Sequence, residues 1–198
     1  MISTVTQLAK PLVGIIMGSD SDLEVMQEAF KFLKDNDIPA EIKIVSAHRT
    51  PDVMVRYAKD ARKKGLRVII AGAGGSAHLP GMVASLTTLP VVGVPIHTKT
   101  LSGLDSLLSI VQMPPGIPVA CVAINGGLNA AILACQILGL NSKNIQFMIE
   151  EYKKSLQSSV VEKSNELERY GPSKYQNLHR ALVKKYILNC GDSHEKVA

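Results

Sequence analysis

The sequence predicts an α/β protein with three αβα layers around a parallel sheet, followed by a C-terminal helical extension. Between residues 11 and 138, short β-branched apolar runs alternate with segments of helical periodicity, a pattern typical of strand–helix–strand units. The runs are apolar almost throughout, as expected for strands that helices cover on both faces. Beyond residue 138 the pattern becomes a long amphipathic one. We therefore expect an α/β domain over residues 1–140 and a helical extension over residues 141–198.

Five central strands are predicted from the apolar runs, at residues 12–17, 40–46, 67–74, 90–96 and 118–124. Parallel strands joined by right-handed crossovers bind their ligands beyond the carboxyl ends, near a change in strand order. The loops that follow the strands are therefore the segments in which a functional site is expected.

Helical periodicity fills the first two crossovers. After Ser21, apolar residues recur at spacings of three and four, which predicts a helix with one buried face made of Leu23, Met26, Phe30 and Leu33. The next helix is expected to begin at Pro51, since proline suits a first helical turn. Its predicted buried face consists of Val53, Tyr57, Ala58 and Ala61.

The C-terminal part reads as one long amphipathic helix over residues 143–170. Its apolar stripe needs a surface to cover it, and a neighbouring subunit is a natural candidate. The stripe consists of Ile145, Ile149, Tyr152, Leu156 and Val160. Gly171 and Pro172 should end this helix, and a shorter one ending before Gly191 is expected to follow. The stripe of the second helix is made of Tyr175, Leu178, Leu182 and Tyr186.

Composition excludes several classes of protein. The 198 residues are 46% hydrophobic and 20% charged, enough apolar surface for a packed core and too little charge for a disordered chain. The net charge of +5 is spread along the chain, which suits a small anionic ligand as well as it suits nucleic acid. Aromatic residues make up only 4% and tryptophan is absent, so stacking surfaces for single-stranded nucleic acid are scarce. We expect no nucleic-acid partner.

The cysteines indicate a reducing environment. Cys121, Cys135 and Cys190 form neither a paired framework nor a zinc-ligand spacing, so we expect no metal site and a cytoplasmic location. The first two lie in apolar segments and are expected to be buried small hydrophobes. The first ten residues do not resemble a signal peptide, and no apolar run approaches the roughly 18 residues of a membrane span. Secretion and membrane insertion are therefore not expected.

The first candidate loop, residues 18–22, follows strand one and opens helix one. Small residues and a helix N-terminus suit an anion, so a phosphate is the expected ligand. Asp22 repels phosphate but could accept hydrogen bonds from sugar hydroxyls. The alternative is that Ser19 and Ser21 simply cap the helix.

The second candidate loop, residues 46–51, places His48 beside Arg49 after strand two. Arginine is a fixed cation suited to a phosphate or a carboxylate, and histidine exchanges a proton near neutral pH. The pair therefore predicts an acid/base group next to an anion anchor, although a lone histidine is often structural.

The third candidate loop, residues 71–81, surrounds His78 with four glycines. Glycines let the backbone approach a ligand and present bare N–H groups. The loop matches neither the dinucleotide fingerprint nor the Walker loop, so the NAD and ATP motifs are absent. A tight turn requiring positive φ would explain some of the glycines without a ligand.

Other polar residues carry weaker signals. His97 follows strand four and could line the same edge, but a solvated loop histidine is the favoured interpretation. Surface positions are likewise expected for Lys99, His179 and His194.

Taken together, three motifs closely resemble the PurE family of purine biosynthesis. They are residues 18–22 (GSDSD), 46–52 (SAHRTPD) and 71–82 (AGAGGSAHLPGM). Further matches are residues 101–119 and 129–138, and the resemblance covers approximately residues 11–168 in the order found in the family. It implies a flavodoxin-like parallel sheet and a homo-octamer in which C-terminal helices reach neighbouring subunits.

The family contains two kinds of enzyme. Mutases move a carboxylate from N5 to C4 of aminoimidazole ribonucleotide, whereas carboxylases add CO2 to that ribonucleotide directly. The loop that begins at His78 and the segment 109–114 (SIVQMP) resemble the mutase branch. We therefore expect an isomerase, with the carboxylase as the alternative.

Roles for single residues follow from the resemblance. It implies that His48 is the general acid/base and that His78 lies close to the reacting base. The nucleotide is expected to contact Gly18, Ser19, Asp22, Ser46, Arg49, Gly74, Gly75 and Leu79. The implied chemistry is decarboxylation followed by recarboxylation at C4, with no metal, biotin or ATP, so no cofactor is expected.

The sequence departs from the family pattern in two places. Residues 123–131 (AINGGLNAA) are two residues shorter than the usual segment, which affects the local turn and any subunit contact there. Residues 171–198 exceed the usual family length, and an extra surface helix is expected there.

Two functions of other kinds stay open. A binding module could sense a phosphorylated nucleotide through the same loops without converting it. A structural protein could use the C-terminal helices for interaction and keep only a vestigial site.

Overall fold

The computed structural model describes the backbone of residues 10–191 and the side chains of residues 10–177. Five strands form one parallel sheet with the order β2-β1-β3-β4-β5. This is the flavodoxin-like doubly wound order, and it confirms the predicted fold class. The strands are β1 Val13–Met17, β2 Ala40–Ile44, β3 Val68–Gly74, β4 Val91–Ile96 and β5 Ala120–Cys121.

Helices cover both faces of the sheet. The helices of the described residues are α1 Leu23–Asp35, α2 Pro51–Asp60, α3 Leu79–Ala84, α4 Leu104–Val111, α5 Gly127–Gly139 and α6 Lys143–Gly191, of which α1 to α5 belong to the same unit as the sheet. On one face α1 packs against α5. On the other face Met54 of α2, Val83 of α3 and Ile110 of α4 share one core with Ile69 and Ala71 of β3. The two helical layers with the sheet between them make the predicted αβα sandwich.

The edge strands differ from the prediction. β2 is only partly buried, because it lies at the edge of the sheet. β5 has two residues where the apolar run predicted seven. Pro118 has no N–H to donate to a ladder, and beyond β5 the chain turns at Asn125, whose N–H donates to the Pro95 carbonyl. An apolar run therefore overestimates the length of a strand that pairs on one side only.

The buried faces of the first two helices were predicted in part correctly. Met26 and Leu33 are buried in α1, but Leu23 is 45% exposed and Phe30 is half-buried, and the face is completed by Ala29 and Phe32. In α2, Tyr57 and Ala58 are buried as expected, while Val53 is exposed and Met54 takes the buried position. Leu23 and Val53 stand in the first turn of their helices.

The layer formed by α1 and α5 requires a glycine. A Cβ atom at Gly127 would lie 2.2 Å from the carbonyl oxygen of Val25. Only glycine therefore lets the first turn of α5 approach the backbone of α1 so closely.

The chain forms two compact units, which divide between Ile149 and Glu150. The second unit is helical, with a break at Gly171, where φ is 70° and ψ is 163°, directly before Pro172. The predicted interruption is therefore confirmed. The division into domains 1–140 and 141–198 stays a prediction about their roles.

The predicted apolar stripe is covered only at its beginning. Ile149 is buried, but Leu156 is exposed and Val160 is 66% exposed in the single chain. The side chains of Leu178, Leu182 and Tyr186, predicted to form the second stripe, lie outside the described residues. No helix in the described part of the chain is both long and apolar enough to cross a lipid bilayer.

Candidate active site

A cavity of about 430 Å³ lies at the carboxyl ends of β1 to β4. β1 stands between β2 and β3, so the chain reverses its direction of winding at this point, and the cavity occupies the switch in strand order. All ten residues selected from the sequence line it: Gly18, Ser19, Asp22, Ser46, His48, Arg49, Gly74, Gly75, His78 and Leu79. Three loops that are distant in sequence thus form one site.

The loop after β1 is a short 3-10 turn, Asp20–Asp22, that leads into α1. Ser19 caps this turn, because its Oγ accepts the N–H of Ser21 at 3.4 Å. The same hydroxyl donates to Asp20 Oδ1 at 2.9 Å, and this bond is the main reason why the pKa of Asp20 is lowered. Ser19 therefore has the capping role that was the alternative interpretation, and it lines the cavity as well.

Asp22 is the buried carboxylate of the site. It is 6% exposed, and its Oδ1 accepts a hydrogen bond from Ser21 Oγ at 3.0 Å. Burial raises the pKa of Asp22, although hydrogen bonds from Ser21 and from the backbone oppose the shift. A desolvated carboxylate gains from a neutral donor such as a sugar hydroxyl and repels a phosphate.

Arg49 connects the loops after β1 and β2. Its Nη2 donates to the carbonyl of Gly18 at 3.1 Å, and its Nε donates to Ser46 Oγ at 3.4 Å. Ser46 also accepts the backbone N–H of Arg49 at 3.2 Å. These bonds hold a fixed positive charge beside the small-residue loop that is expected to bind an anion.

His48 and His78 are directly hydrogen bonded, with 2.8 Å between His48 Nε2 and His78 Nδ1. The two rings are nearly perpendicular, at 89°, and their centroids are 4.9 Å apart. Both side chains are exposed to the cavity. The second loop ends where Pro51 begins α2, and His78 stands immediately before α3, so each imidazole is held at the start of a helix.

The glycine loop after β3 differs from the expectation in one respect. Gly75 has the left-handed conformation, with φ at 68°, but its N–H donates to Ser106 Oγ at 2.9 Å. Ala77 N–H donates to the Gly75 carbonyl, and His78 N–H to the Ser76 carbonyl, both at 2.8 Å. The expectation of bare N–H groups is therefore wrong for Gly75, because its N–H is bonded to the Ser106 hydroxyl of α4.

The end of β4 and the loop after it add residues that were not selected from the sequence. Ile96, the last residue of β4, and Thr98 line the cavity, and so does His97, which is exposed as expected for a loop histidine. The N–H of His97 donates to Asn125 Oδ1 at 2.8 Å, and Asn125 has a positive φ of 58°. The shortened segment thus closes its turn at Asn125 and supports this side of the cavity. The position of His97 and Thr98 directly after β4 was the signal that could have identified them as cavity residues.

The remaining candidates lie elsewhere. Cys135 is fully buried, and burial raises the pKa of its thiol to about 12. Cys121 is half-buried rather than buried, because β5 is a short edge strand, and burial raises its pKa as well. Lys99 is exposed. The side chains of His179, His194 and Cys190 fall outside the described residues.

Comparisons with known proteins agree with this architecture. The family model described as AIR carboxylase matches residues 12–159. An N5-carboxyaminoimidazole ribonucleotide mutase of Thermotoga maritima is 60% identical over 167 residues, which are 84% of this chain and 98% of that protein.

Two further matches extend the comparison. A phosphoribosylaminoimidazole carboxylase of Schizosaccharomyces pombe is 56% identical over 165 residues, which are 83% of this chain but only 30% of that protein. The crystal structure of Treponema denticola PurE has a TM-score of 0.72 at 31% identity and covers 79% of this chain and 98% of that chain. The chain belongs to the AIR carboxylase family.

Proposed function

We propose that the protein is an isomerase of purine biosynthesis, an N5-carboxyaminoimidazole ribonucleotide (N5-CAIR) mutase. It moves the carboxylate from N5 to C4 and forms 4-carboxyaminoimidazole ribonucleotide (CAIR). Near-complete coverage of mutase relatives at 60% identity supports this assignment. The observation that carries the chemistry is the hydrogen-bonded pair of His48 and His78 in the same cavity as Arg49.

The nucleotide is placed by the charges of the cavity. The Arg49 guanidinium takes the phosphate, next to the hydroxyls of Ser19 and Ser46. Asp22 accepts the ribose hydroxyls. The aminoimidazole then extends toward the histidines, along a wall formed by the backbone of Gly18, Gly74 and Gly75 and the side chain of Leu79.

When both rings are neutral, the histidine pair offers one acid and one base. When His48 Nε2 donates to His78 Nδ1, the lone pair of His48 is on Nδ1 and the single ring proton of His78 is on Nε2. When the donor is His78, the two roles are exchanged. In either arrangement one ring nitrogen of the pair accepts a proton and another donates one, as two successive proton transfers require.

The proposed reaction has two balanced steps. In the first, the bond between N5 and the carboxylate carbon breaks, CO2 leaves, and N5 keeps the electron pair and takes a proton from the His48 imidazolium, which becomes a neutral imidazole. In the second, C4 attacks the carbon of CO2, and the neutral imidazole of His48 removes the proton from C4. His48 ends in its starting state. Confining CO2 next to C4 supplies proximity, and no cofactor takes part in the proposed steps.

Direct carboxylation is the second candidate. The Schizosaccharomyces pombe relative is named a carboxylase, and it matches this chain at 56% identity. That reaction would use the same attack of C4 on CO2, without the first step. The two candidates therefore differ in whether N5-CAIR is a substrate.

The test is to mix the protein with N5-CAIR, without ATP or added bicarbonate, and to follow the ultraviolet absorbance of CAIR. Conversion by the wild type, and its loss in a His48→Asn variant, would support the mutase. Activity only on aminoimidazole ribonucleotide plus CO2 would indicate the carboxylase. Binding without either reaction would indicate a nucleotide-binding module.

We also infer a homo-octamer in the cytoplasm. Helix α6 carries exposed apolar residues, Leu156, Val160 and Leu167, that a neighbouring subunit would bury. The free thiols of Cys121 and Cys135 suit a reducing compartment. Light scattering on the full chain should give about eight times the monomer mass of 21.3 kDa, and a monomer would contradict the assembly.

A further inference from the structure

Helix α4 lies in the segment 101–119, which shares the family pattern but contributes no residue to the proposed reaction. Its two faces differ sharply. Leu104 is 50% exposed and Leu108 is also exposed, whereas Ser106 is completely buried. A buried hydroxyl needs hydrogen-bond partners, because leaving one unpaired is costly.

Ser106 bonds to the last residue of β4 and to the residue that follows β3. Its Oγ donates to the carbonyl of Ile96 at 2.6 Å and accepts the N–H of Gly75 at 2.9 Å. The ladder between β3 and β4 ends with the pair Gly74 and Ile96. At Gly75 the chain turns into the left-handed region and leaves the strand. The hydroxyl therefore adds one more link between β3 and β4 at the point where their own ladder stops.

Neighbouring residues of α4 reinforce this link. Ser109 Oγ lies 2.7 Å from the carbonyl of Asp105 and 3.2 Å from that of Gly75, so its proton can be donated to either. Asp105 Oδ1 accepts the hydroxyl of Thr98 at 2.7 Å. The polar face of α4 thus holds the loops after β3 and β4, and both loops line the cavity.

We propose that Ser106 is a positioning residue for the reaction, which fixes Gly75 against Ile96 and thereby sets the place of His78. Gly75 and His78 are separated only by a short turn, which is closed by the hydrogen bond from Ala77 N–H to the Gly75 carbonyl. His78 must lie within hydrogen-bond distance of His48, and this distance is 2.8 Å. Ser106 itself does not line the cavity. The proposal rests on the proposed function.

A Ser106→Ala variant tests the proposal. It removes the donor and the acceptor together, so the loop before His78 loses its anchor. We expect kcat to fall about 10- to 100-fold, as a small misplacement of a reacting group does, with a smaller change in KM. Ser85→Ala is the matched control, because Ser85 Oγ also donates to a backbone carbonyl, that of Met82, but lies outside the cavity lining.

Hydrogen–deuterium exchange gives a readout that does not depend on turnover. The Gly75 amide should exchange at least about tenfold faster in Ser106→Ala than in the wild type and in Ser85→Ala, because its acceptor is gone. Ser106→Cys, with a similar shape and a weaker hydrogen bond, should give intermediate results and replaces the alanine variant if that one does not fold.

The outcomes separate this proposal from the proposed function. Turnover is measured on N5-CAIR and, in parallel, on aminoimidazole ribonucleotide plus CO2. A wild type inactive on N5-CAIR contradicts the proposed function. Unchanged kcat in Ser106→Ala, on whichever reaction the wild type catalyses, overturns the role of Ser106. If the Gly75 amide exchanges at the same rate in Ser106→Ala as in the wild type, the link between Ser106 and Gly75 is overturned. This holds even if the wild type is inactive in both assays.

Discussion

His48 Nε2 lies 2.8 Å from His78 Nδ1, although 30 positions separate the two histidines in sequence. One follows β2 and the other follows β3, and these two strands flank β1 in the sheet. The fold thus turns two loop histidines into one proton-transferring pair at the switch in strand order. The histidine motifs alone do not contain this relationship, because it depends on the arrangement of the strands.

The first prediction concerns proton transfer by the histidine pair. His48→Asn should reduce turnover of N5-CAIR at least about 100-fold, since asparagine keeps a polar side chain but cannot exchange a proton near neutral pH. Affinity for the nucleotide, measured by calorimetry, should be retained. His97→Asn is the control, because His97 lines the same cavity outside the pair, and its loss of turnover should be far smaller. Equal losses in the two variants would remove the pair from the mechanism.

Arg49 should act mainly in binding. Arg49→Ala removes the guanidinium that lies beside Gly18 and Ser46. KM should rise about 10- to 100-fold, as expected for a charged hydrogen bond worth about 1.5–3 kcal/mol. The matched control is Arg56→Ala, since Arg56 is an exposed arginine of α2 that bonds the Asp52 carbonyl outside the cavity. Normal KM in Arg49→Ala would refute the anchoring role.

Asp22 should make stability depend on pH. Burial raises the pKa of its carboxyl in the folded chain above the unfolded value of about 3.9. The unfolded chain therefore loses this proton first as pH rises, and the charged buried carboxylate destabilises the fold above the raised pKa. Asp22→Asn removes that cost, so its Tm relative to the wild type should be higher at neutral pH than at pH about 4.

Calorimetric melting curves across this pH range check the effect. A Tm difference that is constant with pH, or one that grows as pH falls, would contradict it. The same substitution should raise KM, because the acceptor for the ribose hydroxyls loses its charge. A stability gain at neutral pH together with weaker binding is expected of a residue kept for function.

The contact between α1 and α5 gives a prediction about stability. Gly127→Ala places a methyl group 2.2 Å from the Val25 carbonyl oxygen, so the helices must separate, at a cost of about 1–3 kcal/mol. Gly139→Ala, at the other end of α5, finds its nearest atoms at 3.4 Å and should be neutral or slightly stabilising. Denaturant unfolding measures both, and similar values for the two variants would contradict the close packing.

Much of the fold follows from patterns that the sequence displays directly. The apolar runs identified all five strands, and three of these strands, β1, β3 and β4, are buried between helices along most of their length. They overestimated β5, whose length is set by a turn at Asn125 and by pairing on one side only. Helical periodicity misplaced Leu23 and Val53, which are exposed in the first turns of their helices, because a period does not show which turns of a helix other elements cover.

The candidate site was predictable where its residues follow strands in recognisable motifs. Position after a strand, taken without a motif, would also have selected Thr98, which follows β4 and lines the cavity. The role of Ser106 was not accessible in this way, since a serine within an apolar helix gives no sign that its hydroxyl joins two strands. Such a relationship depends on register, which only the folded chain defines.

The central claim is that the carboxylate released from N5 is the one attached at C4. It is tested most directly with N5-CAIR that carries ¹³C in its carboxylate, converted by the protein in buffer containing unlabelled bicarbonate. The account predicts that the ¹³C is retained in the C4 carboxylate of CAIR, as detected by NMR or mass spectrometry. A product whose carboxylate carbon comes from the unlabelled pool would contradict it.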